Sequence, residues 1–132
     1  MRRDRPRRRG GSVLSRPVRL LLLDALDEAR FGVDLITRMS LESLMSDKLS
    51  RRGLERVAEV TGEALRAAQE ADVSLVERFP DIAWRDAVRL RTLVAHAYHR
   101  VDAAILYAVV RDQFPPLAAA LERAVAELTA ES

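Results

Sequence analysis

Residues 16–38 read RPVRLLLLDALDEARFGVDLITR, and their apolar side chains recur every three or four positions. This spacing is typical of one face of an amphipathic helix, because 3.6 residues make one turn. The acidic residues of the stretch fall outside the apolar stripe. The stretch therefore predicts a long first helix that ends near Arg38 and buries this stripe: Val18, Leu22, Ala25, Ala29, Val33 and Ile36, with Leu26 at its edge.

A second long helix follows the same rule. Ser40 is predicted to cap the start of a short unit, residues 46–50 to form a bend, and the helical period to resume at Arg51. Gly62 lies inside this second helix, where glycine costs about 1 kcal/mol relative to alanine. A glycine is tolerated there if its small size permits a contact that offsets this cost. We therefore expect another helix to approach closely at Gly62. The predicted buried stripe is Leu54, Val57, Ala58, Thr61, Leu65 and Ala68.

A loop and a third helix come next. Residues 77–81 are predicted to form the loop, because Pro80 prevents a helix from continuing before it. The third helix is expected to begin at Ile82 or Trp84 and to end at Ala97.

The last third of the chain predicts two further helices. Asp102 is predicted to cap a short fourth helix, residues 103–111, which is apolar nearly all round and is therefore expected to be buried. Pro115 and Pro116 are predicted to begin a fifth helix, because the first turn of a helix tolerates proline.

The composition favours an all-α protein with one core. The chain has 132 residues, enough for one domain, and is rich in Ala, Leu, Arg and Glu, which favour helices. We predict an antiparallel bundle of four to five helices in a single domain, residues 16–132. The absence of cysteine excludes a disulfide framework and a thiolate metal site. No apolar run approaches the roughly 20 residues that a membrane span needs, so we expect a cytoplasmic protein with no membrane partner.

The charge is distributed unevenly. Residues 1–19 hold eight arginines and one acid, a net charge of +7, whereas residues 20–132 have a net charge of −5. Residues 1–15 are predicted to form a basic tail without stable structure. Such a tail could hold nucleic-acid phosphates or be a solvated extension, and both interpretations stay open.

The segment from Arg91 to Tyr98, RTLVAHAY, carries the candidate chemistry. A histidine such as His96 can take or give a proton near neutral pH, and an arginine can hold a phosphate through two hydrogen bonds. These two groups suffice for metal-free cleavage of RNA, in which the 2′-hydroxyl attacks the adjacent phosphate. Arg91 and His96 lie about 140° apart on an ideal helix, so they can border one groove or be brought together by a symmetric partner. With two histidines and no cysteine in the chain, no metal site is expected.

Both motif residues also have ordinary structural alternatives. His96 could instead donate to a backbone carbonyl at the end of its helix. Tyr98 could pack in the core with its hydroxyl at the rim. The spacing alone does not decide between these alternatives and the chemistry.

Several motifs occur in an order that resembles a known family. They are Gly-Glu-Ala at 62–64, Pro-x-Ile-x-Trp-Arg at 80–85, Arg-x4-His-x-Tyr at 91–98, an aspartate at 102, and a Leu-Pro-like turn at 114–117. Together they resemble the HepT family of HEPN-domain toxins, the ribonuclease half of HEPN/MNT toxin–antitoxin pairs. The resemblance covers residues 18–130.

The resemblance implies a homodimer in which two Arg-x4-His segments face a shared cleft. It implies a metal-independent endoribonuclease without a cofactor, the toxin of a type VII pair, which cleaves tRNA or mRNA. In this interpretation His96 is the general base or acid, Arg91 binds the scissile phosphate, and Thr92 supports them. Tyr98 would receive AMP from a partner nucleotidyltransferase, the antitoxin, and this would neutralise the toxin.

Three further arginines are candidates for binding the RNA backbone. Arg85 and Arg89 are one helical turn apart and share a face, and Arg100 follows the motif. The alternative is a solvated face on which these arginines pair with acids such as Asp81 and Asp86.

Thr92 keeps a second class of function open. The family pattern has asparagine here, and threonine lacks the paired donor and acceptor of the amide. A catalytically weak or inactive helical dimer that binds RNA or a partner is the alternative. A subunit that only presents nucleotides to a transferase is a third possibility.

Overall fold

The computed structural model describes residues 16–95 and 100–131, and every regular element among them is an α-helix. This confirms the predicted all-α class. The predicted basic tail, residues 1–15, lies outside the described residues. In chain order the helices are α1 (Val18–Arg38), α2 (Leu41–Ser46), α3 (Lys48–Ala71), α4 (Leu75–Arg78), α5 (Trp84–Ala95) and α6 (Arg100–Ala130).

Four long helices form the bundle, and the short α2 and α4 lie in the connections. Helix α1 packs against α3 and α6, and α3 also packs against α5. Fully buried side chains from α1, α3 and α6 fill the core between them, among them Leu22, Leu54, Leu65, Val110 and Leu121. No helix in the described part of the chain is both long enough and apolar enough to cross a membrane.

Both predicted apolar stripes lie in the core. On α1, which ends at Arg38 as predicted, Val18 and Val33 are only partly buried and the other stripe residues are buried. The whole predicted stripe of α3 is buried, and the hydroxyl-bearing Thr61 is fully enclosed with the others. The helical period of the apolar residues therefore predicted which faces of α1 and α3 point into the core.

The connection between α1 and α3 is shorter than predicted. The Ser40 hydroxyl accepts a hydrogen bond from the Ser43 N–H at 3.1 Å, so the predicted cap is confirmed. Of the predicted bend, residues 46–50, only Asp47 lies outside the helices, and α3 begins at Lys48 rather than Arg51. The Asp47 carboxylate accepts a hydrogen bond from the Ser50 hydroxyl at 2.6 Å, which ties the first turn of α3 to the break.

The predicted loop at 77–81 is partly wrong, because Glu77 and Arg78 belong to the short helix α4. Two local features explain this helix. The Asp72 carboxylate accepts hydrogen bonds from the N–H and the hydroxyl of Ser74, which starts the turn, and Leu75 is fully buried. The helix ends before Pro80, as the proline rule requires.

The predicted fourth and fifth helices are wrong as separate elements, because they are one helix, α6, with Pro115 and Pro116 inside it. Its buried residues Val110, Phe114 and Leu117 continue the apolar stripe across the prolines at spacings of four and three. Both prolines are exposed, so neither ring occupies the buried stripe. Burial of the stripe therefore outweighs the local cost of the prolines.

Two smaller predictions about α6 are also corrected. The helix begins at Arg100, so Asp102 lies in its first turn and is not its cap. Residues 103–111 are not buried all round, since Ile105 is 45% exposed. Tyr107 is half-buried and donates its hydroxyl hydrogen to the Met39 carbonyl at 2.9 Å.

The predicted close approach at Gly62 is confirmed. A Cβ atom at this position would lie 2.7 Å from the Ala87 carbonyl oxygen and 2.9 Å from the Arg91 Cβ atom, both on α5. Real Cβ atoms are essentially never so close to other heavy atoms. Only glycine therefore lets the backbones of α3 and α5 meet at this point.

We predict that Gly62→Ala destabilises the protein by about 1 to 3 kcal/mol, because the new methyl group meets backbone that cannot rotate away. Gly53→Ala is the matched control in the same helix. Its methyl group would make only an ordinary contact with Leu35 at 3.9 Å, so we expect a gain of about 0.4 to 1 kcal/mol. Urea unfolding at one protein concentration measures both free energies of unfolding. Equal changes in the two variants would contradict the close approach.

Candidate active site

Helix α5 carries the start of the Arg-x4-His segment, and buried side chains anchor its first turn. Trp84 is 6% exposed, and its indole N–H donates to the Phe79 carbonyl at 3.0 Å. Ile82 and Phe79 are also buried. The Pro-x-Ile-x-Trp-Arg motif thus fixes where α5 begins and at which rotation it presents its later residues.

Arg91 is held by a carboxylate from α3. Its Nε atom lies 2.8 Å from the Glu63 Oε1 atom, and the two side chains are 42% and 46% exposed. The residue before Glu63 is Gly62, whose close approach to Arg91 sets the distance between the two helices. The 2.8 Å contact is made at the Nε atom, on one edge of the guanidinium.

Glu63 is itself held by a second arginine. Its Oε2 atom lies 2.6 Å from the Arg66 Nη2 atom, and Arg66 in turn contacts Glu70 at 2.5 Å. The hydrogen bond from Arg66 lowers the pKa of Glu63, partial burial opposes it, and the charges of Arg66 and Arg91 add to the lowering. Because the folded-state pKa is depressed, the stabilising contribution of Glu63 is present above its unfolded-state pKa. It is lost as the pH falls through the folded-state value.

Glu63 and Arg91 line a largely acidic groove formed mainly by α1 and α3. We call this groove, of about 810 Å³, the acidic groove. Burial raises the pKa of Glu28 within it, where the charges of Asp27 and Asp24 add to the effect and Arg56 opposes it. Three arginines, Arg16, Arg56 and Arg91, also line the groove, together with the acids Asp24, Asp27, Glu28, Glu59 and Glu63.

A second groove lies along another face of α5 and has the opposite charge. Its volume is about 530 Å³, and its described lining contains two arginines and no acid. We call it the cationic groove; it is lined by Gln69, Val76, Trp84, Arg85, Val88, Arg89 and Thr92. Apolar side chains form part of its wall, so it combines positive charge with apolar surface.

The structure brings three of the predicted site residues together and separates a fourth. Arg85, Arg89 and Thr92 share the cationic groove, as their spacing of four and three residues requires. Arg91 points about 100° away from Thr92 around the helix and contacts Glu63 instead. The Thr92 hydroxyl is 3.4 Å from the Val88 carbonyl oxygen.

The alternative in which the candidate arginines Arg85 and Arg89 pair with acids holds only in part. Arg89 lies 3.7 Å from Asp86, a long contact between exposed groups. Asp81 contacts Arg123 of α6 at 2.5 Å and makes no described ion pair with Arg85. Such exposed pairs contribute little stability, so the charges of Arg85 and Arg89 stay available to a ligand.

The remaining predicted site residues cannot be placed. His96 and Tyr98 lie outside the described residues, and so does the side chain of Arg100, the first residue of α6. Among the residues that are described, no three His, Asp or Glu side chains form a group that could hold a metal ion.

The sequence did not predict the contact between Glu63 and Arg91, although Glu63 belongs to the Gly-Glu-Ala motif. The available signal was the glycine. Gly62 indicated a close contact with another helix. Glu63, the next residue, therefore lies near the helix that makes this contact, α5.

The helical bundle, with an Arg-x4-His segment beginning on a firmly anchored helix, defines a protein of the all-α HEPN class. Residues 25–124 match the family described as Ribonuclease HepT-like. This range covers most of the chain and the whole candidate segment. The chain therefore belongs to the HepT-like family, and the resemblance noted in the sequence is confirmed.

Three archaeal relatives match most of their own length. Two are proteins of Methanocaldococcus jannaschii, named provisionally as the RNases MJ1380 and MJ0127. They are 26% and 25% identical to this chain over 77% and 86% of it, and over 91% and 92% of the relatives. A third, named a probable ribonuclease HepT of Thermococcus cleftensis, is 27% identical over 76% of the chain and 92% of the relative. No solved structure gave a significant match.

Proposed function

We propose that the protein is a metal-independent endoribonuclease, the toxin of a type VII HEPN/MNT pair that acts on tRNA or mRNA in the cytoplasm. One observation carries the proposal: the family match spans the whole Arg-x4-His segment. The contact that holds Arg91 at its Nε atom is consistent with a phosphate-binding role for this arginine. The relatives, which are named as ribonucleases, support the same reaction class.

The proposed chemistry needs one proton acceptor and one cation. His96 removes the proton from a ribose 2′-hydroxyl, and the oxygen attacks the adjacent phosphorus. Arg91 binds the non-bridging oxygens, whose negative charge grows in the pentacovalent state. The bond to the 5′-oxygen breaks, and this oxygen takes a proton to become a hydroxyl. The products are a 2′,3′-cyclic phosphate and a 5′-hydroxyl end.

The cationic groove is the proposed path of the RNA backbone. Arg85 and Arg89 would contact phosphates there, and Arg100 would extend the path beyond the segment. In the sequence, positions 85, 89, 92 and 96 have the spacing of one helical face, which supports assigning His96 to the side of this groove. Thr92, within the groove, would support the substrate or His96.

A homodimer would complete the site. Arg91 and the cationic groove occupy different faces of α5, so a second protomer could supply the groups that one protomer does not bring together. Large apolar side chains also remain on the surface of the bundle, with Phe31 54% and Ile105 45% exposed. A dimer interface that covers these side chains would remove their apolar surface from water.

Regulation would act through Tyr98. A nucleotidyltransferase antitoxin would attach AMP to its hydroxyl and place negative charge beside Arg91 and His96. That charge would repel RNA and compete for the arginine.

We further propose that the chain is organised as a single folded domain, residues 16–132, preceded by the arginine-rich residues 1–15.

We predict that the protein cleaves RNA in EDTA and that His96→Ala abolishes the cleavage. The products should carry 2′,3′-cyclic phosphate ends, which end-specific labelling detects. His99→Ala is the matched control, since it removes the other histidine of the chain, and it should retain activity. If folded, dimeric and AMP-free protein does not cleave, the binding-module alternative replaces the enzyme, and Thr92 is the first residue to test.

We predict that the double change of Arg85 and Arg89 to alanine weakens RNA binding, measured in the His96→Ala background so that no substrate is cut. Each lost phosphate contact should reduce the slope of log affinity against log salt by about 0.7 for single-stranded RNA. Arg30→Ala is the control, because Arg30 pairs with Glu122 at 3.0 Å away from the groove. An unchanged salt slope in the double variant would exclude the groove as the RNA path.

We predict that incubation with the cognate nucleotidyltransferase and ATP adds AMP to Tyr98 and stops cleavage. Peptide mass spectrometry locates the adduct, and Tyr98→Phe should prevent it. The only other tyrosine, Tyr107, is tied to the Met39 carbonyl, so Tyr107→Phe should still be modified at position 98. An adduct on Tyr107, or none on either tyrosine, would refute the modification proposal.

A further inference from the structure

An arginine that binds a phosphate in a transition state must hold one orientation. The arginine side chain carries roughly 2 kcal/mol of rotamer entropy, and an exposed guanidinium can rotate about its last bonds. Arg91 is 42% exposed, so packing alone does not fix its guanidinium plane. The ion pair of its Nε atom with Glu63 supplies the missing restraint, because a contact at that edge sets the direction of both terminal nitrogens.

Glu63 is well placed to give this restraint because its own position is fixed. Arg66 holds its other carboxylate oxygen at 2.6 Å, and Glu70 contacts Arg66 one helical turn further along α3. The preceding residue, Gly62, lets α5 approach so closely that Glu63 reaches Arg91 within hydrogen-bond distance. The close approach of α3 to α5 and the ion pairs of Arg66 with Glu63 and Glu70 thus fix the position of the carboxylate that contacts Arg91.

The negative charge of Glu63 allows two roles of this residue to be distinguished: a bystander that repels RNA, and a group that orients Arg91. A carboxylate beside a phosphate-binding arginine repels RNA, and four other acids line the same acidic groove. If Glu63 were a bystander, its removal would strengthen RNA binding and leave the reaction as fast or faster. If Glu63 orients Arg91, its removal slows the reaction although the repulsion is also removed. The two roles therefore predict opposite signs for one measurement.

We propose that Glu63 is the positioning residue of the phosphate-binding arginine: it holds Arg91 through Nε and leaves the terminal nitrogens to the scissile phosphate. This inference rests on the proposed ribonuclease function. Glu63 touches no substrate and acts only through Arg91.

Steady-state cleavage by Glu63→Gln tests the proposal. A glutamine keeps the size of the side chain but removes its charge. We expect kcat to fall about tenfold to a hundredfold, as misplacement of a reacting group does, while KM stays equal or falls. Glu63→Asp, which keeps the charge, should recover part of the loss.

Glu59→Gln is the matched control. Glu59 lies one turn earlier on α3, lines the same acidic groove and pairs with Arg56 at 2.9 Å. Its change removes the same charge without touching Arg91, so kcat should not fall. The Glu63 change should also have little effect on kcat in an Arg91→Ala background, because the two residues act as a unit. A kcat within twofold of wild type for Glu63→Gln, or equal losses at Glu59 and Glu63, would overturn the proposal.

A spectroscopic measurement keeps the proposal testable apart from activity. In the ¹⁵N spectrum the Arg91 Nε–H signal, assigned with Arg91→Lys, should be ordered and protected from exchange in the wild type. It should lose both properties in Glu63→Gln and retain them in Glu59→Gln. An unaffected signal refutes the positioning role. Failure of the wild type to cleave RNA, with the signal behaving as expected, refutes the ribonuclease function and leaves the restraint on Arg91 established.

Discussion

The contact between the backbones of α3 and α5 at Gly62 is the constraint on which the candidate site depends. A side chain there would have to share space with the Ala87 carbonyl oxygen. Without that approach, α3 and α5 would move apart at the level of Arg91, and the 2.8 Å contact from Glu63 could not form. One missing methyl group thus links the packing of the bundle to the orientation of the arginine. The cost of glycine within a helix, about 1 kcal/mol, is offset by what the approach permits.

Much of the fold could be predicted from the sequence because burial follows helical period. The stripes of α1 and α3, the Ser40 cap and the role of Gly62 are local or periodic signals, and the structure confirms them. The break expected at Pro115 was wrong for a physical reason. Proline imposes a local rule, whereas the burial of Phe114 and Leu117 depends on helices distant in sequence. The sequence shows where a proline disfavours a helix, but it does not show how much free energy the burial of distant contacts contributes against that preference.

The site was predictable to the extent that spacing determines angles on a single helix. Spacing placed Arg85 and Arg89 on one face, and the structure shows that they line one groove together with Thr92. It could not show that Arg91 would face Glu63, because the partner comes from a helix about 30 positions earlier in the chain. Nor could it show the acidic groove, whose acids come from α1 as well as α3. Charges brought together by tertiary packing leave no periodic trace in the sequence.

The two grooves explain how a domain with an acidic balance can be suited to an anionic polymer. Residues 20–132 have a net charge of −5, which taken alone would disfavour RNA. Affinity depends on the local potential at the binding surface, and charges farther away than about 10 Å are largely screened at ordinary salt. Helix α5 separates the two signs: Arg85 and Arg89 line one face, and the acids lie with Glu63 beyond Arg91. An RNA strand would then be attracted along the side of α5 that carries Arg85 and Arg89 and repelled from the acids of the acidic groove, so Arg91 lies at the boundary between the two signs of charge. The arginine-rich residues 1–15 are not needed for this argument.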